Sequence, residues 1–210
     1  WIRRNFREWV RDNKDYPLCQ KLDERFAACF LWKTVALSHT ILNYPEILRL
    51  GTNGIIGNVD KELSVTPENE KQKRDTLQAM KISLEGINAY AKNLAQEAWR
   101  LASQENNPVR KNELLHLAEV CKRAPANPCT TLDEAVNAMW IIWVGVHMEN
   151  TNAGFSLGRL DQWLQPYFIA DMEKMKDEKE RQAYIKHAIE MIGCFYMRCT
   201  DHLPLVPDIG

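Results

Sequence analysis

The segment Glu149-Asn-Thr-Asn-Ala-Gly-Phe-Ser-Leu-Gly-Arg-Leu-Asp161 holds the densest set of residues able to do chemistry. A hydroxyl (Ser156), a guanidinium (Arg159) and a carboxylate (Asp161) lie close together, with Gly154 and Gly158 among them. Flexible backbone and clustered polar side chains beside apolar elements suit a ligand site, because the backbone can approach the ligand closely and the polar groups can orient it. The same pattern suits a tight helix-to-strand connection, with Arg159 paired to Asp161 or Glu149. The residues alone leave both readings open. A second candidate is His39, in Ala36-Leu-Ser-His-Thr-Ile-Leu-Asn-Tyr44 near the end of an apolar helical pattern, where a histidine is commonly a satisfied core group. His116, His147, His187 and His202 are scattered along the chain and are given no role.

Other chemistries find little support. Carboxylate-bridged di-iron sites in helical bundles need two Glu-x-x-His pairs and two further glutamates, and only Glu113-Leu-Leu-His116 fits. No metal site is therefore expected. The chain has neither a Gly-rich phosphate loop nor a Ser-His-Asp signature. A formal net charge of −1 with mixed signs lacks the basic face that nucleic acid requires. The longest apolar run, Ala138 to Val146, falls well short of the roughly 18 to 20 residues that cross a membrane. Six cysteines without a Cys-x-x-Cys spacing, most inside apolar helical patterns, read as reduced buried thiols and place the protein in the cytoplasm. Trp1 opens the chain without a start methionine or signal peptide, and Leu203-Pro-Leu-Val-Pro-Asp-Ile-Gly210 reads as a loop leading onward. We expect an internal piece of a longer polypeptide.

The elements that must hold these residues are helical. Thr66-Pro67-Glu68 reads as an N-cap with proline at the first helical position. The stripe Met80, Leu84, Ile87, Ala91, Leu94, Ala98 and Leu101 then predicts one long amphipathic helix to about Ser103. Asn107-Pro108 stops it and starts another, with Leu114, Leu117, Ala118 and Cys121 on one face, so the two should pack antiparallel. Thr131 and Glu134 form a capping box before a helix that is apolar nearly all round, from Ala135 through Met139 and Trp143 to Val146. Such a helix belongs inside a larger body. Leu160 to Met172 and residues 178 to 199 continue the helical pattern, and shorter helices are predicted around Phe6 to Asp12 and Leu22 to Leu37. The only strand candidates are short, around Gly154 to Leu157 and Leu203 to Val206. One mainly helical unit over residues 1–210 is expected.

Two segments carry a resemblance to a known family. Gly154-Phe-Ser-Leu-Gly-Arg-Leu-Asp-Gln-Trp-Leu-Gln-Pro-Tyr167 resembles the Ser-x-Gly-Arg-x-Asp-x-x-x-x-Pro segment of the glycyl radical enzymes, the pyruvate formate-lyase superfamily. The match falls at Ser156, Gly158, Arg159, Asp161, Pro166 and Tyr167. Ser38-His-Thr-Ile-Leu-Asn-Tyr-Pro-Glu-Ile-Leu-Arg-Leu-Gly-Thr-Asn-Gly-Ile55 is similar to that family's Gly-His-x-x-x-(Asp/Asn)-Tyr-x-x-(Val/Ile)-Leu-x-x-Gly-x-x-Gly-Ile, with Ser38 in place of the usual glycine.

The resemblance implies a ten-stranded α/β barrel surrounded by helices, of which this chain would supply the helical N-terminal portion with at most short strands. In that family a glycyl radical in Arg-Val-x-Gly oxidises the cysteine of Gly-Cys-x-Glu, and the resulting thiyl radical attacks the substrate. Neither motif occurs here, so no residue of this chain is assigned a catalytic role. What the resemblance implies instead is substrate binding by Ser156 and His39. Phe26 would be a wall for an aromatic or aliphatic substrate, and Arg159 and Asp161 would hold the turn behind Ser156. Phe155, where dehydratases carry a polar residue, makes the lining resemble that of arylacetate decarboxylases, with 4-hydroxyphenylacetate as the implied substrate. That branch implies a radical-SAM activating enzyme, a small iron–sulfur partner subunit and anaerobic chemistry. A diol or hydroxyproline dehydratase is the alternative, and a non-catalytic helical interaction module is a third reading.

Overall fold

The computed structural model describes residues 41–149 and 156–199. Among them are six helices: α1 (Tyr44–Val65), α2 (Lys71–Gln104), α3 (Pro108–Arg123), α4 (Leu132–Glu149), α5 (Leu160–Met172) and α6 (Glu178–Arg198). Helix α4 is the centre, in contact with each of the other five. Its sequence explains this: Ala135, Val136, Ala138, Met139, Ile141, Ile142, Trp143 and Val144 are all buried, so most of the helix surface is covered, while Met148 near its end is exposed. The Trp140 and Phe195 rings meet edge to face at 6.4 Å and join α4 to α6.

The α2–α3 pair forms as the sequence predicts. The Asn107 side chain accepts from the Val109 and Arg110 amides at the start of α3, and Pro108 occupies a position whose N–H would have no helical partner. The buried face of α2 is narrower than its apolar stripe. Ala91, Ala95, Ala98 and Ala102 are buried, whereas Met80 and Leu101 are exposed, and on α3 Leu117 is exposed too. Small residues let the helix backbones come close, and the larger side chains are displaced to the flanks. Close approach recurs on α4, where a methyl group at Gly145 would sit 2.1 Å from the Ile87 side chain.

Thr66 does not cap α2. It ends α1, its backbone N–H and hydroxyl both bonding to the Glu62 carbonyl, while the Arg74 guanidinium reaches back to the Leu63 and Thr66 carbonyls. A threonine before Pro-Glu carries the same local signal for a start as for a stop, and the Glu62 carbonyl decides it here.

Helix α1 is kinked at Gly51, whose φ of +66° lies in the left-handed region. The bend brings the chain against the turn after α3. Thr52 and Asn53 N–H groups donate to the Pro125 and Ala126 carbonyls at 2.8 and 3.0 Å, and the Cys129 N–H donates to the Leu48 carbonyl at 2.9 Å. A Cβ on Gly51 would lie 2.5 Å from the Ala126 oxygen, so only glycine fits. Thr52 also bonds Asn88 through its hydroxyl, which ties the kink to α2.

Of the strand candidate around Gly154 to Leu157, Gly154 and Phe155 lie outside the described residues, and Ser156 forms an isolated parallel bridge with Ile41. The second candidate, around Leu203 to Val206, lies outside the described residues, as do the two predicted N-terminal helices.

Candidate functional site

That bridge joins the two segments singled out in the sequence, far apart along the chain. Ser156 is exposed. His39 precedes the bridge by two residues in sequence; it and Phe26 lie outside the described residues. The structure thus sets Ser156 beside the chain that follows His39.

Behind Ser156 the turn is built on Gly158, whose φ is +71°. A Cβ there would lie 2.2 Å from the Trp163 ring and 3.1 Å from the Ile41 side chain, so the glycine lets the indole rest on the backbone. The Trp163 ring in turn packs at 5.7 Å, tilted by 49°, against Tyr44, which is fully buried at the start of α1. Local backbone bonds complete the turn: the Leu160 N–H donates to the Gly158 carbonyl, and the Gln162 and Trp163 N–H groups donate to the Arg159 carbonyl.

Arg159 and Asp161 form a bidentate pair, Nε to Oδ1 at 2.9 Å and Nη2 to Oδ2 at 2.6 Å, with both side chains exposed. Of the two sequence alternatives for Arg159, the described structure therefore realises pairing with Asp161. The guanidinium hydrogen bonds hold the Asp161 carboxyl below the usual carboxylate range. Within the described part of the site, the turn offers a hydroxyl and fixed charges. Groups of this kind suit hydrogen bonding to a ligand rather than proton transfer.

Three features were not legible beforehand. The Tyr44 hydroxyl is buried and has no hydrogen-bond partner among the described residues. Burial, and then the neighbouring Cys199 thiol, push its pKa up. His116 and His187, set aside as scattered, converge on one carboxylate: their Nε2 atoms lie 2.6 and 3.0 Å from the two oxygens of Asp133. Spacing along three separate helices hides such a meeting. Finally, two buried carboxylates secure the start of α4. Glu134 accepts from Arg123 Nε at 2.6 Å and from the Thr130 N–H and hydroxyl, while its own N–H donates to Thr131 Oγ1. The predicted capping box is thus half formed, with the glutamate turned one residue further back. Asp171, on α5, accepts from the Leu132 N–H and the Tyr184 hydroxyl.

Among the described residues no group of three or more His, Cys, Asp or Glu side chains is arranged to hold a metal, and no helix is long and apolar enough to cross a membrane. An open groove of about 570 Å³ between α5 and α6 is lined mainly by apolar side chains such as Leu164, Phe168 and Ile192, with Asp161, Gln165 and Tyr196 bringing polar groups. It offers packing surface rather than chemistry.

The described residues thus form a helical body that carries a glycine-built polar turn at the start of α5. Residues 1–209 match the pyruvate formate lyase-like family, and the chain belongs to that family. It is 29% identical over 168 residues to an isethionate sulfite-lyase of Oleidesulfovibrio alaskensis, covering 78% of this chain and 20% of that protein. It is 35% identical over 167 residues to an indoleacetate decarboxylase of Tractidigestivibacter scatoligenes, covering 78% of this chain and 18% of that one. The structure of a Roseburia inulinivorans protein of 1,2-propanediol dehydration superposes with a TM-score of 0.70 at 28% identity, over 77% of this chain and 20% of that one. The chain spans about a fifth of the length of these relatives. The six helices are a helical portion of the glycyl radical enzyme fold, as the sequence predicts.

Proposed function

We propose that this chain is the substrate-orienting part of a glycyl radical lyase, with the Ser156 hydroxyl as its principal polar contact. The observation that carries the reading is the Ile41–Ser156 bridge, which pairs the exposed serine with the segment following His39. On this reading Ser156 and His39 hydrogen-bond the polar groups of the substrate, Phe26 walls its apolar side, and the Arg159–Asp161 pair keeps the turn in shape. The catalytic cysteine and the glycyl radical belong to the rest of the polypeptide, and the residues of this chain bind and orient. Arylacetate decarboxylation, with 4-hydroxyphenylacetate or a related acid as substrate, is the finer assignment. It is supported by Phe155 in the lining segment and by the 35% identity to an indoleacetate decarboxylase. It brings with it a radical-SAM activating enzyme, a small iron–sulfur subunit and a cytoplasmic setting. Dehydration of a diol or of hydroxyproline is the second reading, supported by the relatives that act in dehydration.

The test is anaerobic turnover by the activated full-length polypeptide, offered 4-hydroxyphenylacetate, indoleacetate, 1,2-propanediol and hydroxyproline in parallel. Conversion of an arylacetate to its methylarene, with KM raised about tenfold by Ser156→Ala, is the expected result; tenfold is the loss of one good hydrogen bond. Turnover of only a diol or hydroxyproline selects the second reading. An unchanged KM in Ser156→Ala removes the serine from the substrate contacts.

A further inference from the structure

The geometry points to Trp163 as the positioning residue of the site: its indole, laid on Gly158 and backed by Tyr44, fixes where Ser156 sits relative to the chain at Ile41. The inference rests on the proposed contact between Ser156 and substrate. Four observations converge. Gly158 holds a left-handed conformation, and its bare Cα is what admits the ring, since a Cβ would lie 2.2 Å from it. The same missing Cβ would lie 3.1 Å from the Ile41 side chain, so Trp163, Gly158 and Ile41 occupy one packed point between the two segments. Tyr44 supports the indole from the far side at 5.7 Å and is itself fully buried, which gives the wedge a rigid back. Among the described residues the other connections of the turn are a single isolated bridge, with Ile41 58% exposed, an ion pair between two exposed side chains, local backbone hydrogen bonds, and the partly buried Leu157, which packs against the core. Exposed pairs contribute little against local opening. The half-buried indole of α5 is wedged between the turn and Tyr44 of α1, and its loss frees Ser156 to move.

The test uses the full-length polypeptide with Trp163→Ala, Trp163→Phe and Ser156→Ala, alone and combined. Amide exchange read by mass spectrometry reports the turn directly. Trp163→Ala should raise exchange about tenfold or more in the peptides that hold Ile41 and Ser156 to Gly158, leaving α2 and α3 unchanged, as local opening rather than global unfolding does. Trp163→Phe keeps a ring on Gly158 and should restore most of the protection. In turnover, Trp163→Ala should raise KM by about as much as Ser156→Ala with a smaller change in kcat, and the double variant should be no worse than either single one, as residues acting through one contact behave. Unchanged exchange in Trp163→Ala, or additive effects on KM, would overturn the inference. If instead Ser156→Ala leaves KM unchanged while the exchange result stands, Trp163 positions the turn and the substrate role of Ser156 is what fails.

Discussion

Removing the Asp171 carboxylate should unfasten the start of the central helix. Its Oδ2 accepts the Leu132 N–H at 2.8 Å and the Tyr184 hydroxyl at 2.9 Å, and its Oδ1 accepts Lys174 Nζ at 2.7 Å. Leu132 is the first residue of α4, so its N–H has no helical acceptor, and Asp171 is only 6% exposed. In Asp171→Ala the Leu132 amide and the Tyr184 hydroxyl lose their acceptor. At roughly 1 to 3 kcal/mol for the buried Leu132 amide left unpaired, and less for the part-buried Tyr184 hydroxyl, the cost is about 2 to 4 kcal/mol. Asp171→Asn keeps one carbonyl oxygen for those two donors and loses mainly the charge, about 1 to 2 kcal/mol. The Lys174 side chain is 57% exposed, so its release adds at most about 1 kcal/mol.

Acid should narrow the difference, because a protonated carboxyl keeps one carbonyl oxygen as acceptor but loses the charge. Burial raises the Asp171 pKa, but hydrogen bonds from Lys174, the Leu132 amide and Tyr184 outweigh it and hold the carboxyl below its ordinary value. A depressed folded pKa means that the stabilisation is complete above the unfolded value of about 3.9 and fades as pH falls through the lower folded value. Urea unfolding followed by far-ultraviolet circular dichroism, at neutral pH and in steps below pH 4, reads both effects. An Asp171→Ala variant within about 0.5 kcal/mol of the parent at neutral pH would refute the reasoning, since that is the range of a neutral surface change. So would a gap that widens in acid.

Two further outcomes follow from backbone and burial. Gly51→Ala combines a left-handed φ of +66° with a Cβ placed 2.5 Å from the Ala126 oxygen, and should cost upwards of about 3 kcal/mol, checked by the same urea titration; a loss under 1 kcal/mol would mean that the kink relaxes. Burial, with Glu134 adding to it, pushes the Cys129 thiol up to about 12, and burial pushes Cys121 up to about 11, whereas Cys194 is exposed. Only thiolates alkylate readily, so iodoacetamide at pH 8 should label Cys194 well before Cys121 and Cys129, which should react only in denaturant, and peptide mass spectrometry showing equal rates for the three would contradict the burial of Cys121 and Cys129.

What could be read from the sequence was what period and cap chemistry encode locally. Asn107-Pro108, the all-round apolar α4 and the amphipathic α5 each carry their own boundary, so they were legible. The stripe on α2 misled because hydrophobicity weights leucine above alanine, while the contact with α3 selects small residues. Thr66 misled because one hydroxyl can serve a helix start or a helix end. The two motif segments were visible from the types and spacing of Ser156, Gly158, Arg159 and Asp161. Their meeting was not, because the Trp163 wedge and the Asp133 and Asp171 contacts join residues on different helices, and no spacing encodes that.

The parallel sense of the Ile41–Ser156 bridge explains why so much helix surrounds so small a site. Adjacent parallel segments cannot be joined by a tight turn; the chain must cross over and return in the same direction, which takes a dozen or more residues and usually a helix. Here the crossover consists of α1, α2, α3 and α4 in succession. Helix α4 closes it, ending at Glu149 shortly before the Ser156 turn, and Asp171 and Glu134 secure its first residues to α5 and α3. On the α5 side, the proposed Trp163 wedge then sets where Ser156 sits. Helices α4 and α5 are buried against the same core cluster, including Met139, Leu160 and Leu164, and close-packed interiors transmit displacement rather than absorb it. A substitution in that core can therefore reach the site without touching it, which makes the helical body the part of the protein that determines where the polar turn stands.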